Sequence, residues 1–181
     1  MSVHITYFAH STTTDNQQGL ATGWLPGELS EIGKAQAAKL GELVTNKRFD
    51  VVFCSDLQRA IDSAELGFGA KYKIIQDERL RECNYGDMDG RPASNFKARM
   101  DDFITTSFPN GESYKDVEAR LANFVQFLRD NYDGKHVAIV AHQAPQLALD
   151  VLLKGKSWSQ AIDEDWRKIQ SWQPGWEYAV D

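Results

Sequence analysis

The stretch His136-Val137-Ala138-Ile139-Val140-Ala141, followed at once by His142-Gln143-Ala144-Pro145, decides the fold. An apolar run without polar alternation describes a strand covered on both faces, and such strands belong to parallel sheets packed between helices. A helix is expected directly after it, from about Pro145 to Leu153. Val51-Val52-Phe53-Cys54 repeats the pattern. Asp56 then reads as the N-cap of a helix through Ala64 that ends near Gly67 and Gly69.

Working outward, Val3-His4-Ile5-Thr6-Tyr7-Phe8 has the β-branched and aromatic content of an opening strand. The polar cluster from His10 to Asn16 reads as a loop. Ser30 precedes Ile32, Ala35, Ala38 and Leu43, which predicts a helix over about Ser30 to Thr45. Tyr72 to Ile75 is a third strand. From Asp77 to Gly111 the periodicity weakens among Gly86, Gly90, Pro92 and Pro109, as in a long, partly helical excursion. Ser113 caps a long helix with Val117, Leu121, Phe124, Val125 and Leu128 on one side. Pro174-Gly175 separates Lys168–Trp172 from Trp176–Val180, a pattern expected of a terminal hairpin. Strands alternating with helices predict an α/β fold, one domain over residues 1–181, with its active edge at the carboxyl ends of the strands.

Composition narrows the function classes. The chain has 181 residues, 42% hydrophobic and 25% charged, which excludes a disordered or fibrous protein. No apolar run approaches the roughly 18 residues of a membrane span, and Met1-Ser2-Val3-His4 lacks the look of a signal peptide. Acidic residues outnumber basic ones by 26 to 20, a net charge of −6, which argues against nucleic acid or anionic membrane as partner. Two cysteines, Cys54 and Cys83, are too few for a disulfide framework and fit a reducing cytoplasm. Nothing in the sequence fixes an oligomeric state.

Three polar residues fall where strands end or the next helix starts: His10 after the first strand, Arg59 in the helix after the second, and His142 after the last parallel one. Any one of them alone reads as structural. Together, at a common sheet edge, two imidazoles and a guanidinium could surround one ligand.

These residues sit in six ordered blocks that resemble the histidine phosphatase superfamily, which includes the cofactor-dependent phosphoglycerate mutases. The blocks are Ala9-His10-Ser11-Thr12-Thr13 with Asn16; Leu29-Ser30 with Gly33 and Gln36-Ala37; and Ser55-Asp56-Leu57-Gln58-Arg59-Ala60 with Ala64-Glu65. Leu80-Arg81-Glu82 with Gly86 and Asp89-Gly90, Pro109-Asn110-Gly111-Glu112-Ser113 with Arg120, and Val140-Ala141-His142 follow. The resemblance implies a three-layer α/β sandwich whose mostly parallel central sheet is flanked by helices. It implies a phosphatase acting on a small phosphorylated metabolite through a phosphohistidine on His10, without cofactor or metal. Arg59 and His142 would hold the phosphoryl oxygens, Asn16 would donate to them, and Glu82 would exchange the proton of the leaving oxygen and the attacking water.

The pattern breaks beside the nucleophile. The family's preceding arginine is Ala9, the following glycine is Ser11, Gln143 replaces the glycine after the last histidine, and Pro26 stands where aspartate is frequent. Losing one preorganised donor typically costs on the order of 10²–10³ in rate. Three readings follow: a phosphatase in which Ser11, Thr12, Thr13 or Gln143 supplies the missing hydrogen bonds; an impaired member that binds a phosphorylated ligand or a protein; or a change made to trap a complex. Phosphoglycerate mutase-type transfer is a further alternative, disfavoured by the short chain. Retention of His10, Arg59, Glu82 and His142 together favours hydrolysis. Trp24, in the loop from Gly19 to Gly27, is the candidate for covering the non-phosphate part of the substrate. A cysteine phosphatase is set aside because Cys54 and Arg59 are one residue too close together.

Overall fold

Side-chain alternation along the strands produces the layers. In the computed structural model, which describes residues 1–168 and 175–181, β1 (Val3–Ala9), β2 (Val51–Cys54), β3 (Ile74–Gln76), β4 (His136–Ala141) and β5 (Trp176–Val180) form a sheet in the order β3-β2-β4-β1-β5. β1, β2, β3 and β4 run parallel, and β5 joins the edge of β1 antiparallel. Ile5, Tyr7, Phe53, Val137 and Ile139 face one side, where Val117, Leu121, Phe124 and Leu128 of α5 (Tyr114–Asn131) and Leu147 of α6 (Gln143–Lys154) cover them. Phe8, Val52, Cys54, Ala138 and Val140 face the other, under Leu40 of α2 (Glu31–Leu43) and Ala64 and Phe68 of α3 (Gln58–Phe68). The fold is therefore the expected three-layer α/β sandwich, and β4 is buried on both faces because both layers rest on it.

Register brings the chemistry to one edge. Ala9 pairs with Ala141 and Cys54 with Val140, so β1, β2 and β4 end level. His10, the Ser55–Leu57 turn and His142 emerge together from those ends. The loop after β1 is clamped to α2: Ser30 N donates to the Thr12 carbonyl at 3.0 Å, while Thr12 N and Oγ1 both donate to Gln36 Oε1. Gly33 makes this approach possible, since a Cβ there would lie 1.9 Å from the Thr12 carbonyl oxygen.

Several expectations need revision. The polar cluster after β1 contains a short helix, α1 (Thr14–Gln18), because Thr13 and Asn16 form a reciprocal capping box. Asp56 caps nothing: α3 starts at Gln58 with Leu57 in the N-cap position and no side-chain cap. The Asp56 carboxylate instead takes a bidentate pair from Arg81, at 2.8 and 2.6 Å. β5 pairs antiparallel with β1, and the expected hairpin falls largely outside the described residues. Of its expected partner, Lys168 ends a 3₁₀ turn (Trp166–Lys168), and 169–172 lie outside the described residues. The excursion over 77–111 is three 3₁₀ turns with α4 (Ser94–Lys97) between them, and α7 (Trp158–Asp163) follows α6.

Candidate active site

A cavity of about 470 Å³ opens at the carboxyl edge of the sheet. His10 lies in its wall. Its Nδ1 is 2.8 Å from the Ser11 carbonyl, an oxygen that can only accept, so Nδ1 carries the proton and Nε2 keeps its lone pair. Burial, and then the Arg59 charge, push the His10 pKa down to about 3, so the ring is neutral at physiological pH. A neutral imidazole with one fixed tautomer is a nucleophile.

His142 occupies the N-cap position of α6, with its ring centroid 5.1 Å from that of His10. Tyr7 fixes it from below: the hydroxyl accepts from His142 N at 2.9 Å and donates to the His142 carbonyl at 2.7 Å. Both ring nitrogens are buried without a partner among the described residues. Burial, followed by the charges of Arg59 and His10, holds its pKa well below the usual imidazole range. His142 does not itself line the cavity; it backs His10.

Arg59 is 1% exposed, yet its guanidinium borders the cavity. Nη2 donates to the Gly23 carbonyl at 2.7 Å, and Nη1 donates to those of Leu25 at 2.8 Å and Pro26 at 3.4 Å. The same side chain thus supplies positive charge and pins the 23–26 loop. Burial lowers its pKa, with Glu82 the first opposing influence; a guanidinium so placed remains charged at neutral pH. Gly23, at φ +52°, is required here because a Cβ would fall on Asp89 Oδ1.

Glu82 is buried and borders the same space. Its Oε1 accepts from Cys83 N and Ala144 N, both at 2.9 Å, and Oε2 from Gln143 N at 3.1 Å. Two of these donors are the first N–H groups of α6, which favour an anion. Its carbonyl is fixed too, by the Trp24 indole at 2.7 Å and by Arg120 Nη2 at 2.9 Å. Arg120 also grips the Arg79 and Arg81 carbonyls, and Glu112 holds it with two hydrogen bonds, at 3.0 and 3.1 Å.

The other sequence candidates divide. Asn16 and Gln143 line the cavity with His10, Arg59 and Glu82. Asn16 Oδ1 accepts from Thr13 N, which leaves its amide nitrogen for a ligand. Thr13 does not reach the cavity, because its hydroxyl caps α1 by accepting from Asn16 N at 3.0 Å. Ser11 is buried off the cavity, with N donating to Ser63 Oγ. Trp24 is likewise no cavity wall: its indole serves Glu82 and the Arg81 guanidinium covers its ring at 4.7 Å. Cys54 and Cys83 are free and buried. Burial raises both thiols, Cys54 to about 12, which leaves them as small apolar fillers.

Sequence reasoning missed two residues here, Asp165 and Arg167. Arg167 lines the cavity and Asp165 holds it, at 2.9 Å. They lie beyond the last recognisable block, and only the surplus of aromatic residues nearby marked the region.

Known proteins of similar sequence and structure identify the family. Residues 7–170 match the histidine phosphatase superfamily (branch 1). Fructose-2,6-bisphosphatase TIGAR of Xenopus tropicalis is 37% identical over 134 residues, 68% of this chain and 49% of its own, so the chain spans about half of that relative. A 2,3-bisphosphoglycerate-dependent phosphoglycerate mutase of Methylorubrum extorquens (strain PA1) is 31% identical over 163 residues, 81% of this chain and 76% of that one. The mycobacterial glucosyl-3-phosphoglycerate phosphatase structure with VO3 superposes with a TM-score of 0.77 at 28% identity, covering 88% of this chain and 86% of that one.

Proposed function

The chain belongs to the histidine phosphatase superfamily, and on that premise we propose that it hydrolyses a small phosphomonoester through a phosphohistidine on His10. The observation that carries this reading is the His10 ring: neutral, with Nδ1–H given to the Ser11 carbonyl and Nε2 left as the available lone pair. Nε2 attacks phosphorus and forms the N–P bond. The ester oxygen leaves with the electrons of the P–O bond and takes a proton from the Glu82 carboxyl. Water then attacks phosphorus, its proton passes to Glu82, and the N–P bond breaks to restore His10 and release inorganic phosphate.

Arg59 offsets the charge of the phosphoryl oxygens. His142, buried behind His10 with its ring centroid 5.1 Å away, backs the nucleophile from outside the cavity lining. Asn16 contributes its amide. The cavity volume suits a metabolite rather than a polymer. Leu20, Tyr85 and Phe96 offer its organic part an apolar wall, and Lys97 stands on the same lining. With both cysteines reduced, a cytoplasmic setting completes the reading.

The mutase relative keeps phosphotransfer as the second reading, in which phospho-His10 returns its phosphoryl group to an organic acceptor instead of water. Rapid quench with ³²P-labelled phosphomonoesters separates the outcomes. Hydrolysis predicts an alkali-stable, acid-labile label on the protein that turns over to inorganic phosphate and is absent from His10→Ala. Label that leaves only when an acceptor hydroxyl is added favours transfer. Equal turnover by His10→Ala refutes both.

A further inference from the structure

Arg167 belongs to no sequence block, yet it lines the same cavity as Ala9 and His10. Its Nη1 donates to Asp165 Oδ1 at 2.9 Å and to Gln146 Oε1 at 3.1 Å. Its guanidinium carbon lies 5.4 and 5.2 Å from the ring centroids of Trp166 and Trp176. Nη2 is buried and has no partner among the described residues. An unpaired buried donor on a charged group is costly, so a site that keeps one in place has an acceptor in prospect.

The surroundings say which acceptor. The Arg167 charge is felt at both site histidines, where it opposes protonation. Arg59 spends three hydrogen bonds on loop carbonyls, so it cannot give a phosphoryl group its whole fork. On β1 the position before His10 carries only the methyl of Ala9, which leaves room for a guanidinium arriving from elsewhere.

We propose that Arg167 is the second guanidinium of the phosphoryl site, its Nη2 donating to a non-bridging phosphoryl oxygen in the space that Ala9 leaves open, with Asp165 as its positioning residue. Asp165 is well placed for this. It is 6% exposed, it holds Arg167 through both the backbone N–H at 3.1 Å and Nη1, and it accepts from the Gln143 side chain. One buried carboxylate therefore sets two cavity residues at once. The inference rests on the phosphoryl-site reading above, but not on turnover.

The test is a binding titration of orthovanadate and inorganic phosphate by calorimetry, run beside p-nitrophenyl phosphate kinetics, on wild type, Arg167→Gln, Ala9→Arg/Arg167→Gln, Asp165→Asn and Ala9→Arg/Asp165→Asn. Arg99→Gln, an exposed change, is the control. Arg167→Gln is expected to lose at least about tenfold in vanadate affinity and about 10²–10³ in kcat/KM, and Ala9→Arg to recover at least about a tenth of each loss by returning a guanidinium from β1. Asp165→Asn is expected to lose affinity and to be rescued by the same Ala9→Arg change, which a purely structural defect would not allow.

Vanadate affinity and kcat/KM of Arg167→Gln within about threefold of wild type overturn the proposal while hydrolysis stands. Loss without rescue, at unchanged thermal stability, overturns it as well. Wild type that binds vanadate through Arg167 yet turns nothing over sinks hydrolysis and leaves the guanidinium assignment intact.

Discussion

In the proposed reaction Glu82 supplies the proton of the leaving oxygen, and leaving groups differ in how much they need it. An alkyl alkoxide cannot depart without a proton, whereas p-nitrophenolate can. Glu82→Gln keeps the carbonyl held by Trp24 and Arg120 but removes the exchangeable proton. Its kcat/KM for an alkyl phosphate is expected to fall by about 10²–10⁴, with a much smaller loss for p-nitrophenyl phosphate. Equal losses on both substrates would show that Glu82 only shapes the site. His10, Arg59, Glu82 and His142 were legible in the sequence because each sits in a short block with fixed neighbours. Arg167 was not legible, because what gives it meaning is the unpaired Nη2, a fact of packing. Trp24 misled for the complementary reason: a tryptophan near the site looks like a substrate platform, but its N–H was needed by the Glu82 carbonyl.

The elements were readable wherever one signal ran long enough. β4 announced itself by an unbroken apolar run, and α5 by apolar spacing behind the Ser113–Asp116 capping box. The five-residue α1 and the three-residue 3₁₀ turns carry too few residues for a period to show. Asp56 looked like a cap because capping and ion pairing use the same short carboxylate, and Arg81 won it. The contact between α2 and the nucleophile loop rests on Gly33, since a methyl there must push the Thr12 carbonyl away. Gly33→Ala is expected to destabilise the fold by about 1–3 kcal/mol and to lower kcat by shifting the loop that presents His10. Urea unfolding and steady-state kinetics check both halves, and an unchanged urea midpoint would mean the loop yields freely.

The protein as a whole is acidic, at −6, so its overall field repels phosphorylated ligands and attraction must come from the site. Two guanidiniums, Arg59 and Arg167, border the cavity, and both help keep His10 and His142 uncharged. This arrangement has a consequence for stability. His142 is fully buried and its pKa is lowered in the fold, above all by burial, so below about pH 6.5 the unfolded chain takes up a proton that the folded one refuses. Stability contributed by the neutral ring is fully present above the unfolded value and is lost as pH falls, at up to about 1.4 kcal/mol per pH unit. The carboxylates with lowered values, Asp50, Asp116 and Asp150, follow the same sign but only below the ordinary 3.8, whereas Asp89, raised above it by burial, acts with the opposite sign and is common to wild type and variant. His136, also lowered and only partly covered, adds a smaller slope of the same sign. Urea unfolding from about pH 7 to 5 is expected to show His142→Asn losing about 2 kcal/mol less than wild type, whatever its absolute stability at pH 7. Parallel pH profiles for the two proteins would mean that His142 titrates alike in the folded and unfolded chains, and would remove the neutral imidazole placed here beside His10.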